Sequence, residues 1–419
     1  MNDKIQKSFD LAVEQYAAIG VDVNKALEQL DKLPISLHCW KADDVTVFEN
    51  KDGNLTGGIQ ATGNYPGKAR TIEELRADID KAMELIPGNH RVNIHAFYGD
   101  FGGESVDRDQ IEPKHFQSWI DWAKEKGYKL DFNATCFSHD KSSDGLTLSH
   151  PNPAIRAFWV EHVIRCRKIA EEMGRQLGSK CMHNIWIPDG SKDVTVNRLQ
   201  YRQNLKDSLD KIFEYKTNDE YMKDCIESKV FGIGLENFTV GSHEFYMGYG
   251  IKNNIPITLD AGHFHPTEII SDKISSLLLF SSEIMLHVTR SIRWDSDHVV
   301  ILNEELVAIA QEIVRADAID KVHVGLDYFD ASINRIGAYV VGVRATQKAL
   351  LQALLEPLAK LREYEANGQN FERMALLEEA KSMPWGAIYN YYCAKKEVIV
   401  GESYIADIQQ YEKDVTSKR

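Results

Sequence analysis

Eight short runs rich in β-branched and aromatic residues alternate with longer segments of helical period, and polar residues close many of the runs. Together these observations predict an α/β fold, a (β/α)8 or TIM barrel, with a helical lead-in at the N-terminus and a helical extension at the C-terminus. The runs are 35–40 (ISLHCW), 92–98 (VNIHAFY), 129–134 (KLDFNA), 183–187 (HNIWI), 231–236 (FGIGLE), 255–260 (IPITLD), 284–289 (IMLHVT) and 321–327 (KVHVGLD). Helical periodicity fills the intervals, as in TIEELRADIDKAMELI at 71–86 and PKHFQSWIDWAKEKG at 113–127. Buried parallel strands need such crossovers. An open doubly wound sheet is the competing arrangement, and it would gather its functional residues at one switch point. Here Glu236, Asp260, His287 and Asp327 stand on separate runs, as expected where chemistry sits at the C-terminal ends of barrel strands.

Residues 1–34 read as a helical segment leading in, with Pro34 at the entry to the first strand. The barrel is expected over 35–336 as the catalytic domain. A helical extension is expected over 337–419, either packed against another subunit or capping its own barrel. The segment 52–70 (DGNLTGGIQATGNYPGKAR) has no helical period and follows the first strand, so it reads as a lid over the barrel mouth. It is not a phosphate loop, because no GK[ST] opens a helix there.

The 419 residues are 43% apolar, enough for a sizeable core. The formal net charge of -14 argues against nucleic acid or an anionic membrane as the partner, and leaves a neutral small molecule such as a sugar open. The six cysteines form no CxxC pair, so reduced buried thiols are expected. Neither a secretory h-region nor a run of eighteen apolar residues occurs, which points to the cytoplasm.

The strongest local signal is LDAGHFHPTE at 259–268, where Asp260 ends a run and His263 follows three residues later. Both side chains can converge on one ion; a helix cap plus a solvated histidine is the other reading. In RWDSDHVV (293–300), Asp295 and Asp297 share one side of an extended segment. Two such carboxylates repel unless a cation, or Arg290 or Arg293, neutralises them. Glu236, His287 and Asp327 complete a set of seven carboxylate and imidazole groups without a thiolate. That set suits an oxygen-preferring cation such as Mn²⁺ or Mg²⁺. Seven exceed what one ion with an open position takes, so two ions are expected, bridged by Asp260. His95 and Trp186 are candidate sugar contacts or ordinary core residues, as are His38 and Trp40. His265 and His298 read as groups orienting the ligands.

The segments HCW, GGIQATGNYPGKAR, NIWIPDG, DAGHFHPTE, RWDSDHVV and GLDYFDASINR resemble those of the L-rhamnose isomerase family, from Leu11 to the C-terminal tail. The resemblance implies a barrel of the xylose isomerase type, interconversion of L-rhamnose and L-rhamnulose, and a cytoplasmic homotetramer. It also implies two Mn²⁺ ions per subunit, with Mg²⁺, Co²⁺ or Zn²⁺ as substitutes. Carried over by position, it assigns His263, Asp295 and Asp297 to the catalytic ion and Glu236, Asp260, His287 and Asp327 to the structural one. Xylose isomerases carry a lysine two residues after the matching glutamate. Asn237 and Phe238 follow Glu236 here, so that lysine's role does not transfer on this alignment.

The expected chemistry is an aldose–ketose isomerisation in which hydrogen moves between C1 and C2, by a hydride shift in preference to an enediol. Asp327 and His95 are the catalytic candidates, and His95 and Trp186 the substrate contacts. A metal-dependent phosphodiesterase or endonuclease can use the same barrel, and a non-catalytic sugar-binding protein is the third possibility. The acidic balance disfavours the second, and the full ligand set disfavours the third.

Overall fold

A computed structural model of the protein describes residues 2–38, 63–232 and 234–419. Two helices lead in, α1 (Asp3–Ala18) and α2 (Val23–Asp31), before β1 (Ile35–His38). Then follow α3 (Ile72–Glu84), β2 (Arg91–His95), α4 (Gln117–Lys126), β3 (Lys129–Thr135), α5 (Pro153–Leu177) and β4 (Cys181–Trp186). The middle of the chain holds β5 (Gly190–Ser191), α6 (Arg198–Glu214), β6 (Met222–Glu227), β7 (Phe238–Thr239), α7 (His243–Asn253) and β8 (Ile257–Asp260). It continues through α8 (Ser271–Leu278), β9 (Ile284–Val288), α9 (Glu304–Arg315), β10 (Val322–Leu326) and α10 (Arg335–Leu354). The tail is α11 (Leu358–Ala366), α12 (Asn370–Lys381), α13 (Trp385–Lys395) and α14 (Tyr404–Asp414).

Eight of the strands close a parallel barrel in the order β1, β2, β3, β4, β6, β8, β9, β10, with β10 returning to β1. β5 and β7 form a separate antiparallel ribbon over the mouth. The expected (β/α)8 barrel is the fold.

One strand lies elsewhere than expected. The fifth barrel strand is β6, not 231–236; Phe231 is exposed and Glu236 sits in the loop that leads to the ribbon. MKDCIE looks too charged for a buried strand, but Asp224 meets Arg167 of α5 at 2.9 Å and His183 of β4 at 2.8 Å. Paired and hydrogen-bonded, a carboxylate is tolerated in the interior. The helical extension begins in a different way too. α10 starts before residue 337, buries most of its length, and packs on α9, α3, α2 and β1. It is the barrel's own eighth helix. The tail caps this same barrel: Phe9 of α1 stacks on Tyr391 of α13 at 3.7 Å, and Arg419 reaches Asp78 of α3 at 2.6 Å.

Residues 52–62 of the expected lid lie outside the described residues, as do Cys39 and Trp40. Its end, 63–70, packs down tightly. A Cβ on Gly63 would collide with the backbone of Ala331, and one on Gly67 with Thr416. The other five cysteines are free and buried, as expected. Among the described residues no helix is long and apolar enough to cross a membrane.

Candidate metal centre

Side chains alternate in and out along a strand, and in a barrel every second residue points to the interior. The strand ends therefore present Glu227 (β6), Asp260 (β8), His287 (β9) and Asp327, which directly follows β10. The turn after β8 adds His263, and the loop after β9 adds Asp295. In two overlapping groups, Glu227–Asp260–His287–Asp327 and Asp260–His263–Asp295, the ligand-type atoms lie within 4.8 Å of one another. Asp260 belongs to both.

The contacts are close. His287 Nδ1 is 3.2 Å from Glu227 Oε2 and 3.0 Å from Asp327 Oδ2. His263 Nδ1 is 3.3 Å from Glu227 Oε1, and its Nε2 is 3.2 Å from Asp295 Oδ2. Lys229 Nζ reaches the same Asp295 oxygen at 3.1 Å. The turn at Asp260–His263 depends on Gly262, whose N–H donates to Asp260 Oδ1 at 2.6 Å and where any Cβ would strike Asp295. Arg293 and Asp297 bracket Asp295 with φ of 69° and 45°, a left-handed conformation uncommon outside glycine.

Electrostatically the cluster is overloaded with negative charge. Burial pushes the carboxyls of Asp260 and Asp297 well above the usual range, and their acidic neighbours add to it. Burial opposes a charged imidazole at His287, yet Glu227 and Asp327 outweigh it and hold that ring well up. Burial opposes charge at His263 too, but Asp260 and Asp295 raise it to about 9. Both ring nitrogens of His287, together with Asp295 Oδ1 and Asp327 Oδ1, are buried without an aligned hydrogen bond among the described residues. A divalent cation is the group that such a donor set fits, because it neutralises the carboxylates and takes these lone pairs.

Six of the seven expected ligands lie in or beside this centre. Asp297 falls outside the two tight groups, although its carboxyl feels Asp295, Asp260 and Asp327. Glu236 is the correction. It is exposed, accepts from Gly234 N at 3.2 Å, and its place is taken by Glu227. The lysine comparison is corrected with it, since Lys229 stands two residues after Glu227. A search for Glu-x-Lys would have found the pair in CIESKVFG.

The other candidates divide. His95 ends β2, fully buried, with Nδ1 3.4 Å from Thr135 Oγ1; burial, helped by nearby His38, drives its pKa well down. Trp186 ends β4, half-buried, with its Nε1 lacking a hydrogen-bond partner among the described residues and Lys229 5.6 Å above its ring. His298 meets Asp330 at 3.2 Å, next to Asp297. His265 is exposed and bonded to Thr267 at 2.8 Å, away from the ligands it was expected to orient.

Carboxylates and imidazoles gathered over the strand ends of a closed parallel barrel define a class, the barrel enzymes with a candidate divalent-cation centre at the mouth. Residues 3–419 match the L-rhamnose isomerase (RhaA) family. An L-rhamnose isomerase of Bacteroides thetaiotaomicron is 62% identical over 419 residues, covering all of this chain and 99% of that one. One from Escherichia coli K12 is 54% identical over 419 residues, covering all of both chains. A solved structure of a putative sugar phosphate isomerase/epimerase from Anabaena variabilis is 13% identical and has a TM-score of 0.48, covering 77% of this chain and 99% of its own. The chain belongs to the L-rhamnose isomerase family and is an aldose–ketose isomerase, an intramolecular oxidoreductase.

Proposed function

We propose that the chain interconverts L-rhamnose and L-rhamnulose at the barrel mouth with two divalent ions, Mn²⁺ foremost. One observation carries this reading: Glu227, Asp260, His263, His287, Asp295 and Asp327 converge there with unsatisfied buried donor atoms. Glu227, Asp260, His287 and Asp327 would hold one ion. Asp260, His263 and Asp295, with Asp297 beside them, would hold the other. Bound there, the ions supply Lewis-acid polarisation of the oxygens on C1 and C2.

The chain's own groups do the rest. Trp186 offers a flat apolar face to the sugar, and its indole N–H offers a donor. His95, kept neutral by burial, holds a ring-side oxygen while the ring opens. Lys229 presents an ammonium to a sugar oxygen beside Asp295. Asp327, held ionised by His38 and His287 against the effect of burial, orients the hydroxyl that loses its proton. Hydrogen then passes with its electron pair from C2 to C1, and the proton given up by the C2 hydroxyl is returned to the C1 oxygen.

The family resemblance further favours a cytoplasmic homotetramer. α12 supports subunit contact, because it buries none of its residues and exposes Phe371 and Met374. Purified protein is incubated with L-rhamnose and Mn²⁺, with and without chelator. A chelator-sensitive ketose is expected; no ketose from metal-replete protein overturns the proposal. In heavy water the product should carry no solvent deuterium at C1 or C2. Light scattering should return four times the chain mass of 47.6 kDa.

A further inference from the structure

Beneath the centre the barrel interior is lined by polar side chains that meet across strands. Two chains of close polar contacts run through this layer. In the shorter one, Thr258 Oγ1 donates to Asn184 Oδ1 at 2.7 Å, and Asn184 Nδ2 donates to Glu227 Oε2 at 2.5 Å. In the longer one, Asn133 Nδ2 donates to Asn93 Oδ1 at 2.5 Å, and Asn93 Nδ2 lies 3.0 Å from His38 Nε2. His38 Nδ1 then lies 3.0 Å from Asp327 Oδ1. Asn133, Asn93 and His38 are all buried. Each chain ends on a carboxylate, and His287 Nδ1 sits between those two carboxylates.

The orientation of the Asn93 amide gives the longer chain its direction. Asn93 spends its amide oxygen on Asn133, so only its NH2 faces His38. An amide nitrogen donates and does not accept. The imidazole nitrogen opposite it, Nε2, must therefore be the bare one, and the ring proton sits on Nδ1, facing Asp327. This matters because His38 Nδ1 also falls within ligand range of His287 and Asp327. A ring that carries its proton on Nδ1 cannot bind a cation there. Reversing the two asparagine amides would free Nδ1 for the ion, so the two arrangements exclude each other.

We propose that Asn93, backed by Asn133, is a positioning residue: by holding the bare nitrogen of His38 it dedicates that ring to Asp327 and withholds it from the metal. His38 then orients Asp327 and keeps one carboxylate oxygen turned from the ion. Partners of this kind typically change metal affinity by about 10- to 100-fold. The inference rests on the proposed metal site, and the experiment separates the two.

In wild-type protein labelled with ¹⁵N-histidine, the His38 ring should show a protonated Nδ1 and a bare Nε2. The signals are assigned by their loss in His38→Gln. Asn93→Asp keeps the shape but presents an acceptor to Nε2, so the ring must protonate there. Mn²⁺ affinity of Asn93→Asp, read by calorimetry on apoprotein, should differ from wild type by about 10- to 100-fold. A proton on Nε2 of wild-type His38, or an Asn93→Asp protein that binds Mn²⁺ as tightly as wild type, overturns the inference. If Asn93→Asp does not fold, the wild-type spectrum decides alone. Failure of the wild-type protein to bind Mn²⁺ instead sinks the metal site itself.

Discussion

Glu227→Gln and Glu236→Gln are chemically the same change nine positions apart. Glu227 touches His287, His263 and Asn184, whereas among the described residues Glu236 meets only backbone N–H groups close by in the chain. Removing the first should weaken Mn²⁺ binding by more than about 100-fold, beyond the range usual for outlying partners. The second should leave binding and turnover unchanged, and calorimetry on both variants checks this. Six of the seven expected side chains were legible because they lie in short, unusual clusters such as DAGH and WDSD. Glu227 was not, because its strand shows no apolar signature. A second prediction concerns His90, which burial lowers to about 4. Its Nδ1 accepts from Ile35 N at 3.2 Å and its Nε2 donates to Pro87 O at 3.0 Å, so the neutral ring is what fits. A depressed pKa means that stability is fully present above about 6.5 and is lost as pH falls towards 4. The loss is about 3 kcal/mol. Urea unfolding between pH 7 and pH 4.5 should show this slope, and His90→Gln should flatten it.

The fifth barrel strand is where local pattern and tertiary context disagree. FGIGLE reads as a strand, yet its described residues lie in a loop, while MKDCIE, too charged to show a strand's apolar signature, closes the barrel. What decides is Arg167, which spans from α5 to Asp224 and also caps the carbonyls of Ile212 and Tyr215. No periodicity count sees a partner 57 residues away. Arg167→Ala strands a buried carboxylate and should cost about 3–5 kcal/mol, measured by denaturant unfolding. A neutral result would mean that β6 does not depend on this pair. The remaining barrel strands were legible, since their outward faces carry regular apolar residues. The end of the barrel was not, because α10 is apolar on nearly every side and merges without a break into the tail.

Over the whole molecule, a cation that binds only the folded chain stabilises it by mass action. At one hundred times its dissociation constant, Mn²⁺ should add about 2.7 kcal/mol. Calorimetric melting with and without chelator reads this directly, and an unchanged midpoint would count against the centre. The ring of strands, beginning with His38 and ending beside Asp327, adds a consequence of order in time. Those two side chains face each other across the seam where the first strand meets the last. Until that seam zips, Asp327 lacks the His38 ring that faces it, so the donor set on the neighbouring strands is not yet held in its final arrangement. Mn²⁺ therefore acts as a latch and not as a nucleus. Stopped-flow refolding should run at the same rate with or without it, while unfolding slows when it is present.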